Sequence, residues 1–451
     1  MSASSFNIVK AEIYLASSGK RTSVVDVAKN IIELVFFESL AKPFVDARLV
    51  LLDDFGFRND LSIQGTERIF ISISAGAGEL PSINKTFFFS KINDVVKNNE
   101  RSEVVSIDLI EEHVYINAMK SISRSYSETL DNMVVDIADR DLGAKIIKTS
   151  YFDNTAQGER KIIIPYLSPL EAMQWIGARM TTKTGAPIYV HGDLFSNSLY
   201  MSGLDKLMGE DVVNQKLPLR YNDAASSGND IHEIEKTYTQ IQEFKELDAE
   251  DSLALYEEGA IGSYYANIDA GTGQVFGTHI TVRDILDDFY TNGLIDRNTT
   301  QSIFDPSLFI DGRPSDEFDA VHIHQITSSK TYNQFKSYHD ETPQIEGDTV
   351  YESRLKIKNK VIRQIMRKNT IDIQMDGALF LEKKISVSRK MRVLFLSANT
   401  QQNLSRPEKN IDSRKSGDYL ITNTSHRMMD ETHTVILRMV KLGDLPSDFS
   451  L

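Results

Sequence analysis

Glu67-Arg68-Ile69-Phe70-Ile71-Ser72-Ile73-Ser74 alternates with period two and sets Ile69, Ile71 and Ile73 on one face. Side chains two apart in an extended chain share a face, so the stretch reads as a strand with one side against a core. The same reading extends outward in both directions. Residues 33–40 and 44–52 are β-branched and aromatic runs separated by Ala41-Lys42-Pro43. Residues 85–93 follow, and then 102–109, which alternates through Val104, Ser106 and Asp108. Strands broken by Gly, Pro and Asn-Asp turns, with no long helical period between them, predict an antiparallel sheet or small barrel over 1–118.

The pattern changes near Met119. Residues 127–142 space Leu130, Val134 and Ile137 as a helix does. Ser168-Pro169-Leu170-Glu171 is a helix start: Ser168 is placed to cap free N–H groups, Pro169 fits the first turn, and Glu171 completes a capping box. Met173, Ile176 and Met180 line the helix that follows, with Trp175, the only tryptophan, beside them. Short strands are predicted at 187–190 and 199–201. A mixed α/β module over 119–220 is therefore expected. Strand character returns at 241–244, 262–268 and 274–280, the last two joined by Gly271-Thr272-Gly273. An acidic, irregular stretch, 284–340, interrupts it. A helix over 349–366 is predicted from Val350, Ile357, Val361, Ile362 and Ile365, then strands at 370–374, 384–387 and 392–396, and a closing hairpin of 418–425 with 432–440. The predicted organisation is 1–118, a first β unit; 119–220, an inserted mixed module; 221–283 with 341–451, a second β unit; and 284–340, a second insertion.

The 451 residues are 41% apolar, enough for several cores. Acidic residues outnumber basic ones, 64 to 50, for a net charge of −14. Nucleic-acid binding needs clustered cations that release counterions, so sequence-specific binding is not expected; an acidic surface suits a channel that DNA crosses without sticking. The absence of cysteine excludes disulfides, thiolate nucleophiles and Cys-based metal centres. The first ten residues show no basic region leading into an apolar core, and no apolar run approaches the roughly 18 residues of a membrane helix, so neither a secretory signal nor a span is expected.

Candidate chemistry is sparse. Val321-His322-Ile323-His324, if extended, points His322 and His324 to one face, where they could share a divalent ion, but no third ligand is nominated. Ala75-Gly76-Ala77-Gly78 lacks the third glycine and the following helix of a dinucleotide loop. The acidic pairs Asp53-Asp54, Glu111-Glu112, Glu257-Glu258 and Asp287-Asp288 read as solvated surface, because adjacency does not place two carboxylates across a cleft. His191-Gly192-Asp193 has no serine elbow to serve. Lys356, Lys358, Lys360, Arg363, Arg367 and Lys368 read as a solvated helix face, with an acidic neighbour as the functional alternative. No catalytic, cofactor or metal residue is assigned, and no enzyme activity or cofactor is expected.

Five stretches stand out: Val45 through Asp54 with Gly65-Thr66-Glu67-Arg68-Ile69; Asp108-Leu109-Ile110-Glu111-Glu112 with Ser121 through Tyr126; Ile163-Ile164-Pro165-Tyr166-Leu167-Ser168-Pro169 running on to Ile176; Leu253 through Tyr264; and Ser416-Gly417-Asp418-Tyr419-Leu420-Ile421. Together they resemble the baseplate hub proteins of contractile-tailed bacteriophages of the T-even type. The third is the most specific, and 284–340 matches least. The resemblance implies a β-rich α+β fold, with two tail-tube-like antiparallel β-barrel domains and inserted mixed α/β hub domains. It further implies a homotrimeric symmetry adapter in the virion tail baseplate, assembled in the host cytoplasm. Six barrels would imitate a layer of the sixfold tail tube and leave a channel for DNA ejection. Expected partners are a trimeric central spike protein, tail tube or tube-initiator proteins, baseplate wedge proteins and a tape measure protein. The alternatives are a hub or distal tail protein of another tail class, or a wall-degrading tail enzyme.

Overall fold

In a computed structural model of the chain, the described residues are 6–14, 24–54, 67–76, 80–98, 102–149, 159–215, 217–221, 239–247, 262–269, 275–281, 309–310, 312–314, 321–327, 370–395, 411–412 and 415–443, with single residues or pairs between these stretches.

Seven strands form the N-terminal unit: β1 (Asn7–Tyr14), β2 (Val24–Asp26), β3 (Ile31–Ser39), β4 (Asp46–Asp53), β5 (Arg68–Ser74), β6 (Ile83–Lys97) and β7 (Glu103–Ile110), in the spatial order β2-β1-β5-β6-β7-β4-β3. All their pairings are antiparallel. The alternation decides which side is buried: Ile69, Ile71 and Ile73 of β5 are fully buried, with Leu49 and Leu51 of β4, Phe87 and Phe89 of β6 and Ile107 of β7. The predicted strands at 33–40, 44–52, 67–74, 85–93 and 102–109 are all present. β6 is longer than expected because two register shifts, after Phe89 and after Ile92, bend it past the end of the core. The sheet's two ends meet through the chain itself. A 3₁₀ turn, Ala28–Asn30, links β2 to β3; Val27 N–H donates to Ala11 of β1 (2.8 Å), and the Asn30 amide donates to the Leu52 carbonyl of β4 (3.0 Å).

The middle module carries α1 (Glu112–Ala118), α2 (Leu130–Ile137) and α3 (Pro169–Gly177), with the antiparallel pair β8 (Ser125–Glu128) and β10 (Arg160–Ile163). A three-stranded sheet joins β9 (Ile146–Lys148) to β11 (Ile188–Asp193) and β12 (Ser196–Gly203), and α4 (Leu204–Met208) follows. The helix expected over 127–142 begins at Leu130 and ends as a π turn, Ala138–Leu142, closed by Gly143 at φ 66°. The predicted start of α3 is as built. The Glu171 carboxylate accepts from the Ser168 N–H (3.0 Å) and hydroxyl (2.8 Å), which holds its pKa below the usual carboxylate value.

The C-terminal unit is a closed six-stranded barrel: β22 (Gly417–Met429), β21 (Lys390–Leu394), β13 (Leu219–Tyr221), β14 (Gln240–Leu247), β20 (Thr370–Asp376) and β23 (Thr432–Gly443), with β23 returning to β22. The expectation of a purely antiparallel barrel gives way here, because β13 runs parallel to both β14 and β21. The strand expected at 384–387 is also replaced. Ala378 to Lys383 form α5, and Lys384 at φ 50° ends it, so Ile385 and Val387 reach the core from an irregular turn. β15 (Gly262–Asp269), β16 (Val275–Thr281) and β19 (Val321–Thr327) make a separate three-stranded sheet, and β17 (Phe309–Ile310) pairs with β18 (Arg313–Pro314). Most of the helix expected over 349–366 lies outside the described residues.

Candidate interaction surface

β3 pairs with β22 over seven residues, from Glu33↔Met429 to Ser39↔Asn423. This seam joins the N-terminal sheet to the barrel, so thirteen strands form one continuous sheet. The register sets rows of side chains on the solvent side of that wall. One row runs Asp46, Phe37, Ser425, Ile436, and the next Asp108, Arg48, Val35, Arg427. Charges on this face are paired: Arg48 with Asp108 (3.1 Å), Lys42 with Asp46 (3.0 Å), Arg427 with Glu33, and Arg438 in a two-pronged bond to Asp372 (2.9 and 2.9 Å). Phe37 and Ile436, both 39% exposed, are the large apolar groups among them, beside an open groove of 360 Å³. Exposed pairs of this kind contribute little stability and mainly neutralise the surface.

Behind the seam lies a buried polar junction. Glu38 points inward from β3 and is fully enclosed. Its carboxylate accepts from Ser386 Oγ (2.6 Å), Thr424 Oγ1 (2.6 Å) and the Leu194 N–H (2.8 Å). These donors come from the turn after α5, from β22 and from the β11–β12 turn, so one side chain ties the first sheet, the barrel and the middle module together. His426 of β22 stands 3.7 Å from the same carboxylate, and its Nδ1 is 3.2 Å from Nε2 of His433 on β23. Burial raises the Glu38 pKa, but the His426, Ser386 and Thr424 contacts outweigh it and hold the group below its ordinary value. Phe195 and Phe380 stand edge-on to His426, at 6.2 and 6.1 Å.

The packing leaves no slack. A Cβ at Gly192, on the β11–β12 hairpin, would come within 2.8 Å of the Phe44 backbone, and one at Gly377 within 2.3 Å of the His433 ring. The Gly192 N–H donates to the Lys42 carbonyl (3.1 Å), and Leu194 joins the core of the first sheet. A second buried ion pair, Lys85 with Glu111, lies nearby, and Glu111 also accepts from the Val45 N–H (2.8 Å).

The residues weighed from sequence fall in different places. His322 and His324 occupy alternate positions of β19, opposite Tyr264 and Ala266 of β15, with their side chains outside the described residues. Among the described residues no cluster of three or more His, Asp or Glu could hold a metal. Ala75 and Gly76 form a bend in which Ser74 Oγ donates to the Gly76 carbonyl (2.8 Å); Ala77 and Gly78 lie outside the described residues. Asp53, the last residue of β4, and Glu111, which follows β7 and holds Lys85 and the Val45 N–H, are buried rather than solvated; Asp54, Glu112, Glu257 and Asp287 are exposed, and Glu258 and Asp288 lie outside the described residues. Of the basic cluster, Lys358 is buried, with Asp284 the acidic group whose field reaches it, and the half-buried Arg363 lays its guanidinium over the Tyr189 ring of the middle module (4.9 Å), so neither is a freely solvated charge; Lys356, Lys360, Arg367 and Lys368 lie outside the described residues. Trp175 packs at the edge of the middle core, with Arg179 3.9 Å above its ring. His191 and Asp193, considered only as catalytic partners, line the polar junction.

No protein-family model matches the sequence, and no curated protein matches it. Among solved structures, the tail protein from Neisseria meningitidis MC58 superposes with a TM-score of 0.52 over 97% of each chain, at 10% identity. The 43 kDa tail protein of prophage MuSo2 from Shewanella oneidensis gives 0.49 over 96% of this chain and 100% of that one, at 12% identity. Prophage tail protein gp18 from Listeria monocytogenes EGD-e gives 0.43 over 95% and 94%, at 7% identity. Identities this low speak to the fold alone, and the fold matched from end to end by the Neisseria structure is that of a tail protein.

Proposed function

We propose that the chain is the structural hub of a contractile phage tail baseplate, acting without catalysis as a trimeric adapter between a sixfold tube and a threefold spike. The observation that carries this reading is the β3–β22 seam, which places two β units side by side in one wall. Three such chains around an axis supply six β units, a geometry that matches a sixfold layer on one side and keeps threefold symmetry on the other. The first unit is read as a second tube-like barrel, completed by the 3₁₀ turn at Ala28–Asn30 where hydrogen-bonded pairing stops. Three apolar cores, the first of which also takes in Leu194, Leu381 and Met428, support the division into 1–118, 119–220 and a β unit of 221–283 with 341–451 interrupted by 284–340. Paired charges on either side of the seam, with Arg427–Glu33 across it, suit a face that DNA passes without binding, consistent with a net charge of −14. The reading places the protein in the virion, with a trimeric central spike, tail tube or tube-initiator, wedge and tape measure proteins as partners.

Light scattering on the purified protein, alone and with a candidate spike protein, tests it. Three chains of 50.9 kDa give about 153 kDa, and that mass in at least one condition is expected. A monomer or dimer in both conditions would sink the adapter mechanism.

A further inference from the structure

The polar junction behind the seam holds more titratable groups than its architecture needs. Glu38 from β3, His191 and Asp193 from β11, His426 from β22 and His433 from β23 converge there, and all five are buried or nearly so. Phe6 stands edge-on to His433 at 6.5 Å, and Phe195 and Phe380 enclose His426, so the site is dry on its apolar sides. Lys85 and Arg389 are the cations whose fields reach it. His191 spends Nδ1 on the Gly192 carbonyl (3.0 Å), and its Nε2 has no partner among the described residues.

The two imidazoles of the β22–β23 hairpin set the logic. They stack at 5.4 Å with their planes 21° apart, and His426 Nδ1 faces His433 Nε2 at 3.2 Å. That contact has room for one hydrogen. In the uncharged pair one ring donates to the other, and His426 Nε2–H can point at Glu38. A third proton on the pair adds one positive charge beside the carboxylate. A fourth would place two N–H groups head to head and two like charges in an apolar cavity, which the packing cannot accommodate. The third proton falls to His433 Nδ1, which is buried with no acceptor among the described residues.

We propose that this junction is a proton-operated latch. Closed, it holds the middle module's β11–β12 hairpin and the barrel against the first sheet through Glu38; in acid, full protonation of the histidine pair and loss of the Glu38 charge release the hairpin, withdrawing Leu194 from the first core while the strands of that sheet stay folded.

The linkage gives the pH window. Burial, then the positive charge of His426, keeps the His433 pKa well below 6.5, so the closed state binds fewer protons than the open one, and its advantage erodes as pH falls below 6.5. Glu38, held below 4.5 in spite of its burial, acts in the same direction and weakens the closed state as pH falls below 4.5. Asp193 opposes both. Burial, then the field of Glu38, raises it to about 6, so its burial is costly above that pH and the closed state gains as pH falls through about 6. Charged Asp193 is thus a load on the closed state that acid relieves, which flattens the loss between 6.5 and 4.5 and leaves its steepest part below 4.5, where Glu38 takes its proton.

Amide hydrogen exchange on the full-length chain, followed from pH 7 to pH 4, tests the latch, with residues 69–73 of β5 in the same sample as the internal standard for solvent and global effects. Protection over 191–195, relative to that standard, is expected to fall about tenfold or more near the acid end. Asp193→Asn removes the buried charge that loads the closed state, so the closed state should be firmer near neutral pH and the loss should move to a lower pH. His433→Phe removes the second imidazole and should move it to a lower pH. Parallel loss at 191–195 and at 69–73, or an Asp193→Asn profile that superposes on that of the unmodified chain, would overturn the proposal. Neither outcome depends on the trimer, so failure here and failure of the hub reading are distinguishable.

Discussion

Replacing Glu38 with leucine is expected to lower stability by about 3–5 kcal/mol, the range seen when one member of a buried charged network is removed. The carboxylate is the shared acceptor for Ser386, Thr424 and the Leu194 N–H. Leucine fills a similar space and leaves all three donors buried without a partner, each costing about 1–3 kcal/mol if nothing relaxes. Glu38→Gln keeps an acceptor oxygen for part of the set and should fall between the two. Urea unfolding followed by circular dichroism measures both variants. A Glu38→Leu midpoint indistinguishable from that of the unmodified chain would mean that the junction is held by its apolar contacts and that the network is incidental. The same variant should also loosen the β11–β12 hairpin before the β core, because it removes the acceptor of the Leu194 N–H and leaves that hairpin held by its apolar packing and the Gly192–Lys42 bond.

The second large effect is expected at the Lys85–Glu111 pair. Both side chains are buried, on β6 and at the start of α1, and Glu111 also receives the Val45 N–H. Lys85→Met leaves an uncompensated carboxylate in that site and should cost about 3–5 kcal/mol. Adding Glu111→Gln removes the stranded charge and keeps an oxygen for Val45, so the double variant should recover much of the loss. A double-mutant cycle in the same unfolding assay measures the coupling. Additive costs would show that the two groups do not act as a pair.

Much of the β architecture was readable because it rests on local alternation. Ile69, Ile71 and Ile73 specify a buried face without reference to any partner, and β3 to β7 follow the same rule to within a few residues. Ser168 with Glu171 fixed the start of α3 for the same reason, since capping is settled within one turn. Closure of the barrel was not readable. β13 is three residues long and pairs in parallel with β14 and β21, the latter more distant in sequence, through contacts that leave no periodic trace.

The polar junction did leave a signal, though a faint one. Glu38 shares the inward face of β3 with Leu34 and Phe36, so alternation places an acid among core residues. His433 likewise falls in step with Val435, Leu437 and Met439. A polar residue in phase with a buried apolar series marks a buried contact; reading each run only for its apolar content passed over it. The acidic pairs show the same limit. Asp53-Asp54 and Glu111-Glu112 look alike in sequence, yet the first member of each is buried and serves the fold.

The most direct test of the account is an electron cryomicroscopy reconstruction of the assembled protein, computed without imposed symmetry. The account predicts a threefold ring in which six β units surround the axis, two from each chain, joined within a chain at the β3–β22 seam. A closed ring of any other subunit number, or a threefold ring in which only one β unit per chain approaches the axis, would contradict it.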